Sequence, residues 1–171
     1  MACAEPPGVM PQEAAYLAAL QRTARYATAG DLLLLHGADG AVQVAYVAQP
    51  QRALEGTDWV AVDYNNGREA VVTVLPGTRI TAVFAAGGLS GAAGCNSYTA
   101  GYTVAAGSDA ISIGPPASTQ AFCAEPPGAM DQEAAYLAAL PTAGRYRIEG
   151  AQLRLEQADG SRVATYVAIG P

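Results

Sequence analysis

The sequence of 171 residues contains no lysine and only one histidine, His36. Nine arginines stand against fifteen acidic residues, which gives a formal net charge of −6. Nucleic-acid-binding domains normally carry a basic patch, so this charge balance argues against a nucleic-acid partner. One imidazole and three scattered cysteines leave little material for a metal site or for a Cys–His nucleophile pair. We therefore expect no metal and no cofactor.

Long apolar runs are missing as well. The longest uninterrupted apolar segments are far shorter than the roughly 20 residues that a membrane-spanning helix needs. The sequence thus predicts no transmembrane segment. Apolar residues nevertheless make up 51% of the chain, which is enough to build a packed core and argues against global disorder.

An internal repeat organises the chain. The segment CAEPPGVMPQEAAYLAAL, which starts at Cys3, returns as CAEPPGAMDQEAAYLAAL at Cys123, an offset of 120 residues. Without a gap, 27 of the 48 positions in 1–48 are identical to their counterparts in 121–168. Such self-similarity indicates duplication.

The intervening residues 54–122 occur only once, so the order is a second half, a first half and another second half. We predict an orphan half-unit at 1–48, a linker at 49–56 with Pro50 and Gly56 as breakers, and a complete domain at 57–169. Alternating patterns predict strands at 58–64, 69–75, 79–86, 97–104, 110–114, 145–149, 152–156 and 162–169.

One segment of each repeat has helical spacing instead. Asp131 is the expected N-cap of the helix in the complete domain, Glu133 suits its positive end, and Pro141 stops it. In the orphan half-unit the helix is expected at 11–20, with Pro11 in its first turn. The prediction is an α+β fold, in which one helix per repeat packs against a curved antiparallel sheet.

The order of motifs in 54–169 resembles the META domain family, which includes the HslJ-like heat-shock lipoproteins. The matching segments are SGAAGCNSYTAGY, the run STQAFCAEPPGAMDQEAAYLAAL, and YRIEGAQLRLEQADG, after a tryptophan on the first strand. The positions that carry the resemblance are Trp59, Gly91, Gly94, Cys95, Asn96, Tyr98, Gly101, Tyr102, Thr119, Cys123, Glu133, Leu140, Tyr146, Gly150, Leu153 and Leu155.

The resemblance implies a cracked antiparallel β-barrel with a helix laid on it, an extracytoplasmic location, often with a lipid anchor, and no enzymatic activity. It links the family to envelope stress, drug tolerance and secretion without defining a biochemical role. It also suggests that Met1 is an internal methionine of a tandem protein whose first half-domain is absent. The alternative is a genuine truncation that left a half-repeat.

The resemblance places two cysteines of the complete domain, Cys95 and Cys123, at the family's cysteine positions. A disulfide between them is one expectation and would contribute roughly 3 kcal/mol. Cys3 would then be an unpaired thiol. The alternative is that all three are small buried thiols.

Trp59, Tyr136 and Leu140 have two interpretations. They are expected in the core, but in a cracked barrel they would line an apolar cleft between sheet and helix. Such a cleft would be the binding site for an apolar small ligand such as a lipid.

The two copies differ on one face of their late strands. Arg147, Glu149, Gln152, Arg154 and Arg162 of the complete domain correspond to Ala27, Ala29, Leu32, Leu34 and Val42. Exposed apolar residues in this pattern indicate an interaction face at Leu32, Leu34 and Val42, or neutral drift on a tolerant surface.

We expect an interaction module that binds a protein partner or a second copy, and a carrier of an apolar ligand is the alternative. An orphan half with unpaired strand edges must pair within the chain, dock or swap domains. An enzyme has no supporting constellation of residues.

Overall fold

The computed structural model describes residues 8–48, 50–68 and 70–170. The chain divides into two compact units, Met1–Gln49 (unit 1) and Pro50–Pro171 (unit 2). This boundary lies within the predicted linker.

Unit 2 is built on a mainly antiparallel ten-stranded sheet. We number its strands β4 to β13 and its α-helix α2, because unit 1 contains the first helix and three strands. The elements are β4 (Asp58–Asn65), β5 (Val71–Thr73), β6 (Thr81–Ala85), β7 (Gly88–Ala92), β8 (Ser97–Val104), β9 (Ile111–Ile113), β10 (Ala117–Ser118), α2 (Ala129–Ala139), β11 (Arg145–Glu149), β12 (Gln152–Glu156) and β13 (Arg162–Ile169).

The sheet curls into a barrel that is nearly closed. Its strands follow the order β10-β8-β7-β6-β4-β13-β12-β11, with β5 paired to β4 and β9 paired to β8. At the seam, the segment before β9 meets the start of β11 through a single bridge between Ala110 and Arg145. The Tyr146 amide donates to the carbonyl of Asp109 across this seam at 2.8 Å. The predicted α+β class and the cracked barrel with a packed helix are confirmed.

The core of unit 2 lies between α2 and the inner face of the sheet. Along β12 the side chains of Leu153 and Leu155 are buried, whereas those of Gln152 and Arg154 are partly exposed, as alternation in a half-buried strand requires. Its largest fully buried side chains are Trp59, Tyr98, Tyr136, Tyr166, Phe84, Ile80, Leu89, Leu140, Leu153, Leu155 and Val163.

Unit 1 consists of a helix and a three-stranded antiparallel meander. The elements are α1 (Val9–Gln21), β1 (Thr23–Ala29), β2 (Leu32–Gly37) and β3 (Val42–Val47), and the sheet order is β1-β2-β3. Of residues 8–48, Gly37 alone is buried. The helix and sheet are therefore present without a closed core.

Two local predictions need correction. Leu54 is buried and accepts the indole N–H of Trp59 at 3.1 Å, so this part of the predicted linker belongs to unit 2. Asp131 is not the N-cap of α2, because Gly128 takes that place with φ at 88°. Glycine adopts this left-handed conformation without steric cost, and Asp131 lies in the first turn, where its charge favours the positive end of the helix.

The observed bounds of helix α1 and the presence of one strand also differ from the prediction. Helix α1 starts at Val9, after Gly8 with φ at 95°, rather than at residue 11. Residues 88–92, for which the sequence predicts no strand, form β7 between β6 and β8. Small residues make this strand hard to recognise because they carry no β-branched or aromatic signal.

Candidate functional site

Part of the motif meets where the first turns of α2 face the turn between β7 and β8. The G-C-N motif at 94–96, Thr119 and Glu133 come from distant parts of the chain. The site is therefore a contact between the first half of unit 2 (50–122) and its second half (123–169).

A buried carboxylate holds this contact together. Glu133 is 5% exposed, and its Oε2 accepts hydrogen bonds from the backbone N–H groups of Cys95 at 3.2 Å and Asn96 at 2.6 Å. Its Oε1 accepts a third from Asn96 Nδ2 at 2.7 Å. A buried charge is tolerated only when hydrogen bonds replace its hydration, and here three donors do so. Glu133 is thus occupied by protein donors rather than by a ligand.

The side chain of Asn96 bonds segments that are distant from it in sequence. Its Nδ2 also donates to the carbonyl of Ala121 at 2.9 Å, and its Oδ1 accepts from the Ala121 N–H and from Thr119 Oγ1, both at 2.7 Å. The side chain is 2% exposed and all four of its hydrogen-bonding directions are used. Asn96 therefore links the β7–β8 turn to the segment that leads into α2.

A disulfide joins the same two segments. Cys95 and Cys123 are bonded in the structure, with their Cα atoms 5.9 Å apart and a sequence separation of 28. Cys3, the predicted unpaired thiol, lies outside the described residues.

Three tyrosines form a buried chain of hydroxyl groups. Tyr136 OH lies 2.8 Å from Tyr98 OH and 3.0 Å from Tyr166 OH. Burial raises the pKa of each of these phenols well above its usual range, so they stay neutral at physiological pH. Neutral, buried phenols serve here as hydrogen-bonding groups of the core and not as a general base.

Two glycines of the motif permit close approach. A Cβ atom at Gly91 would lie 2.0 Å from the carbonyl oxygen of Thr81, so only glycine fits beside that strand. Gly94 has φ at 114°, and a Cβ there would lie 2.9 Å from Nε2 of Gln132.

The space expected beside Trp59, Tyr136 and Leu140 is filled. Trp59, Tyr136 and Leu140 are each fully buried, and the rings of Tyr64 and Tyr98 pack edge-on against Tyr136 with centroids 6.4 and 5.7 Å away. These residues are core residues and do not line an open pocket.

The remaining motif positions have structural places. Tyr102 packs edge-on against Phe84 and donates to Glu55, and burial with this carboxylate raises the pKa of Tyr102 to about 12. Gly101 in β8 accepts from the Gly114 amide at 2.8 Å, and Gly150 turns with φ at 58° between β11 and β12. Tyr146 is partly buried against the core, and Leu153 and Leu155 are fully buried.

The sequence analysis missed two residues of this site. Gln132 is 2% exposed, its Oε1 accepts the Leu75 amide at 2.7 Å, and its Nε2 donates to Thr78 Oγ1 at 2.9 Å. Tyr166 completes the hydroxyl chain. The repeat held the signal, since Gln12 and Tyr46 stand at the corresponding positions of unit 1.

In unit 1, part of this hydroxyl arrangement is present but exposed to solvent. Tyr16 OH lies 2.5 Å from Tyr46 OH, which repeats the pair formed by Tyr136 and Tyr166 at an offset of 120 residues. Tyr16 is nevertheless 42% exposed, whereas Tyr136 is fully buried. The hydrogen bond with Tyr16 raises the pKa of Tyr46.

The predicted interaction face is exposed in part. Leu32 is 40% and Val42 is 53% exposed, whereas Leu34 is partly buried. Leu32 pairs with Val47, Leu34 with Ala45, and Val42 with His36, so the three positions share one side of the sheet.

Nothing in the described ranges forms a candidate metal site, since no three side chains of His, Cys, Asp or Glu are grouped to hold an ion. Within the same ranges, neither helix has the length and hydropathy needed to cross a bilayer.

Comparisons with known proteins identify the family. The META domain model matches residues 52–168. An NMR structure of a protein from Burkholderia xenovorans matches at 25% identity with a TM-score of 0.55, covering 69% of this chain and 85% of that chain. A crystal structure of a DUF4847 family protein from Bacteroides vulgatus matches at 13% identity with a TM-score of 0.46, covering 67% and 93%. No curated protein matches the chain.

Proposed function

The chain belongs to the META domain family, and we propose that it is a non-enzymatic binding module that acts outside the cytoplasm. A role in envelope stress is part of this proposal and rests on the family resemblance alone. Within unit 2, the polar side chains at the centre of the fold hydrogen-bond to one another. They are thus used for internal contacts, which supports a binding role rather than a catalytic one. Glu133 and Asn96 bond each other, and the tyrosine hydroxyls bond one another in the core.

The observation that carries the proposal is the outer face of unit 1. We define this face as the residues on the side of Leu32 and Leu34, namely Arg25, Ala27, Ala29, Leu32, Leu34, His36, Val42, Ala45 and Val47. Val47 is 68% exposed, and Leu32 and Val42 are exposed as well. Contiguous exposed apolar residues of this kind are typical of association surfaces.

We propose that the outer face binds the outer face of a second copy of this chain. The one charged residue among them, Arg25, pairs with His36 at the end away from Leu32, so two copies can bring the apolar part of the face together without burying like charges. The corresponding side of unit 2 carries Arg147, Glu149, Arg154 and Arg162, which suit a solvated surface. A contact between identical patches gives a closed dimer with two-fold symmetry.

The apolar-ligand alternative has less support. It requires space beside Trp59, Tyr136 and Leu140, and all three are fully buried by their neighbours. A surface interaction therefore accounts better for the exposed apolar residues than a lipid-binding cleft does.

The test is the oligomeric state of the full chain in analytical ultracentrifugation over a range of concentrations. Wild type should form a dimer, and the double variant Leu32→Gln/Leu34→Arg, which installs the residues of unit 2, should be monomeric. Adding the reverse exchange Gln152→Leu/Arg154→Leu to that variant is a control and should not restore association, because Arg147, Glu149 and Arg162 keep that side of unit 2 charged. A wild type that stays monomeric, or a double variant that dimerises equally well, would refute self-association.

The extracytoplasmic location has its own support and test. Disulfides persist in oxidising compartments and are rare in the reducing cytosol, and the structure contains one between Cys95 and Cys123. Thiol titration of the denatured, unreduced chain isolated from its source should find one free thiol, that of Cys3. Three free thiols would contradict both the disulfide and this location.

A further inference from the structure

The inner face of unit 1 is the side of its sheet that carries Leu33 and Leu35. In unit 2 the corresponding Leu153 and Leu155 are fully buried, whereas Leu33 and Leu35 are only partly buried. We define the inner face as seven residues of this side and of α1 that are identical to buried residues of unit 2, namely Gln12, Glu13, Tyr16, Leu20, Leu33, Leu35 and Tyr46.

Each member of the inner face is identical to a residue that closes the core of unit 2. Gln132, Glu133 and Tyr136 bond the first half of unit 2 directly, at Leu75, at Cys95 with Asn96, and at Tyr98. Unit 1 has Gln12, Glu13 and Tyr16 in these places, and all three are exposed. Unit 1 thus contains the groups that contact a first half-domain in unit 2. None of its described residues corresponds to that first half.

The backbone edge of unit 1 is suited to the same partner. In unit 2, β13 pairs with β4 of the first half from Ala164↔Tyr64 to Ile169↔Asp58. Its counterpart β3 is the last strand of the three-stranded sheet, and its outer edge pairs with no other strand in the part of the chain that the structure describes. An unpaired edge of this kind accepts an added strand.

The two faces of the unit 1 sheet differ in what they retain. On the outer face, five charged or polar residues of unit 2 are replaced by Ala, Leu or Val. On the inner face, Gln12 and Glu13 are retained, although a merely apolar contact requires neither an amide nor a carboxylate. Glu13 in particular suits the two backbone N–H groups of a G-C-N turn.

We propose that the inner face of unit 1 binds a first half-domain of the META type, a polypeptide with the strand order and the G-C-N motif of residues 50–122. In the complex, Glu13 accepts the N–H groups of the G-C-N turn, and Tyr16 bonds the tyrosine equivalent to Tyr98. Strand β3 pairs with the strand equivalent to β4. Thr28 and Gln43 stand where unit 2 has Ile148 and Val163, so the complex buries less apolar surface than unit 2 does.

This inference deepens the proposed function and rests on it only in taking unit 1 as the binding element. The two proposals concern opposite faces of one sheet, so an experiment that refutes one of them leaves the other standing. The outer-face variant Leu32→Gln/Leu34→Arg should leave binding of the half-domain intact, whereas a change at Glu13 should leave self-association intact.

The test supplies the partner within the full chain. A second copy of residues 50–122 is joined directly ahead of Cys3, so that Cys3 follows it as Cys123 follows residue 122. Hydrogen exchange and disulfide mapping by mass spectrometry are compared with the unmodified chain. We expect a new disulfide between Cys3 and the added equivalent of Cys95, no free thiol, and at least tenfold slower amide exchange in α1, β2 and β3.

The control is Glu13→Gln in both proteins. It should reverse a large part of the added protection in the extended chain and leave exchange in the unmodified chain unchanged. Unchanged exchange in unit 1 with a free Cys3 would overturn the proposal, since the identical segment folds against residues 123–169. Equal protection with and without Glu13→Gln would also overturn it, because specific recognition by Glu13 would then be absent.

Discussion

Units 1 and 2 contain nearly the same second half in two different states of packing. Leu155 is fully buried and Leu35 is only partly buried, and Glu133 is buried while Glu13 is exposed. The helices and hairpins are alike in both units. The difference shows that local sequence is sufficient to specify the helix and the meander, whereas the core depends on the first half that only unit 2 contains.

The pair Tyr16–Tyr46 illustrates what survives without that half. Its hydrogen bond is formed in both copies, because both partners lie within the second half. The third hydroxyl, from Tyr98, belongs to the first half and is bonded only in unit 2. Side chains of the duplicated segment thus keep their local partners and lose the long-range ones.

The largest expected difference between the two units is the response of their structure to alkaline pH. The pKa values of Tyr98, Tyr136 and Tyr166 are raised in the folded state. Above the unfolded phenol pKa of about 10, the unfolded state loses protons that the folded state keeps, so the free energy of unfolding falls as pH rises. Stability should be full below that pH, and the core of unit 2 should unfold cooperatively above it.

Tyrosinate absorbance and circular dichroism, followed together, check this expectation. The absorbance and the dichroism changes that arise from unit 2 should occur at the same pH. The variant Tyr16→Phe should not shift the midpoint of this transition. Complete ionisation of the tyrosines with an unchanged dichroism spectrum would show that the hydroxyl chain is not buried.

Core leucines should give the next largest difference. Leu155→Ala should lower the free energy of the main unfolding transition by about 2–5 kcal/mol, because it leaves a cavity in a closed core. Leu35→Ala, its matched control, should change that transition by less than about 0.5 kcal/mol. Denaturant unfolding measures both, and equal losses would show that the two leucines share one kind of environment.

The carboxylate pair should give the smallest difference. Glu133→Gln should lower the free energy of unfolding by about 1–3 kcal/mol, because the amide weakens three hydrogen bonds to the first half. Glu13→Gln is the matched control and should be nearly silent in the same denaturant experiment. A silent Glu133→Gln would mean that the buried carboxylate does not hold the two halves together.

Much of the fold could be predicted from the sequence. The strands at 97–104, 145–149, 152–156 and 162–169 have the predicted bounds, because they alternate clearly and end at turn residues. Strand β7 was missed because glycine and alanine carry little strand signal. The start of α2 was misplaced because Gly128, with its positive φ, replaces a side-chain cap.

The site was predictable as a set of residues and less so as a set of contacts. The motif named Glu133 and Asn96, but the pattern does not show that they bond each other across 37 positions in sequence. Helix spacing assigned Glu133 to the positive helix end, and only tertiary packing shows it as a buried acceptor. Gln132 and Tyr166 were overlooked, although their identity in both copies pointed to them.

Backbone amide hydrogen exchange tests most directly whether unit 1 is a half-domain without a core. The measurement compares β2 with β12 in the full chain, at a concentration where it is monomeric. The account predicts that the amides of β12 exchange only through global unfolding, whereas those of β2 exchange at least a hundredfold faster, since few buried contacts oppose local opening. Equal protection of the two strands would contradict it.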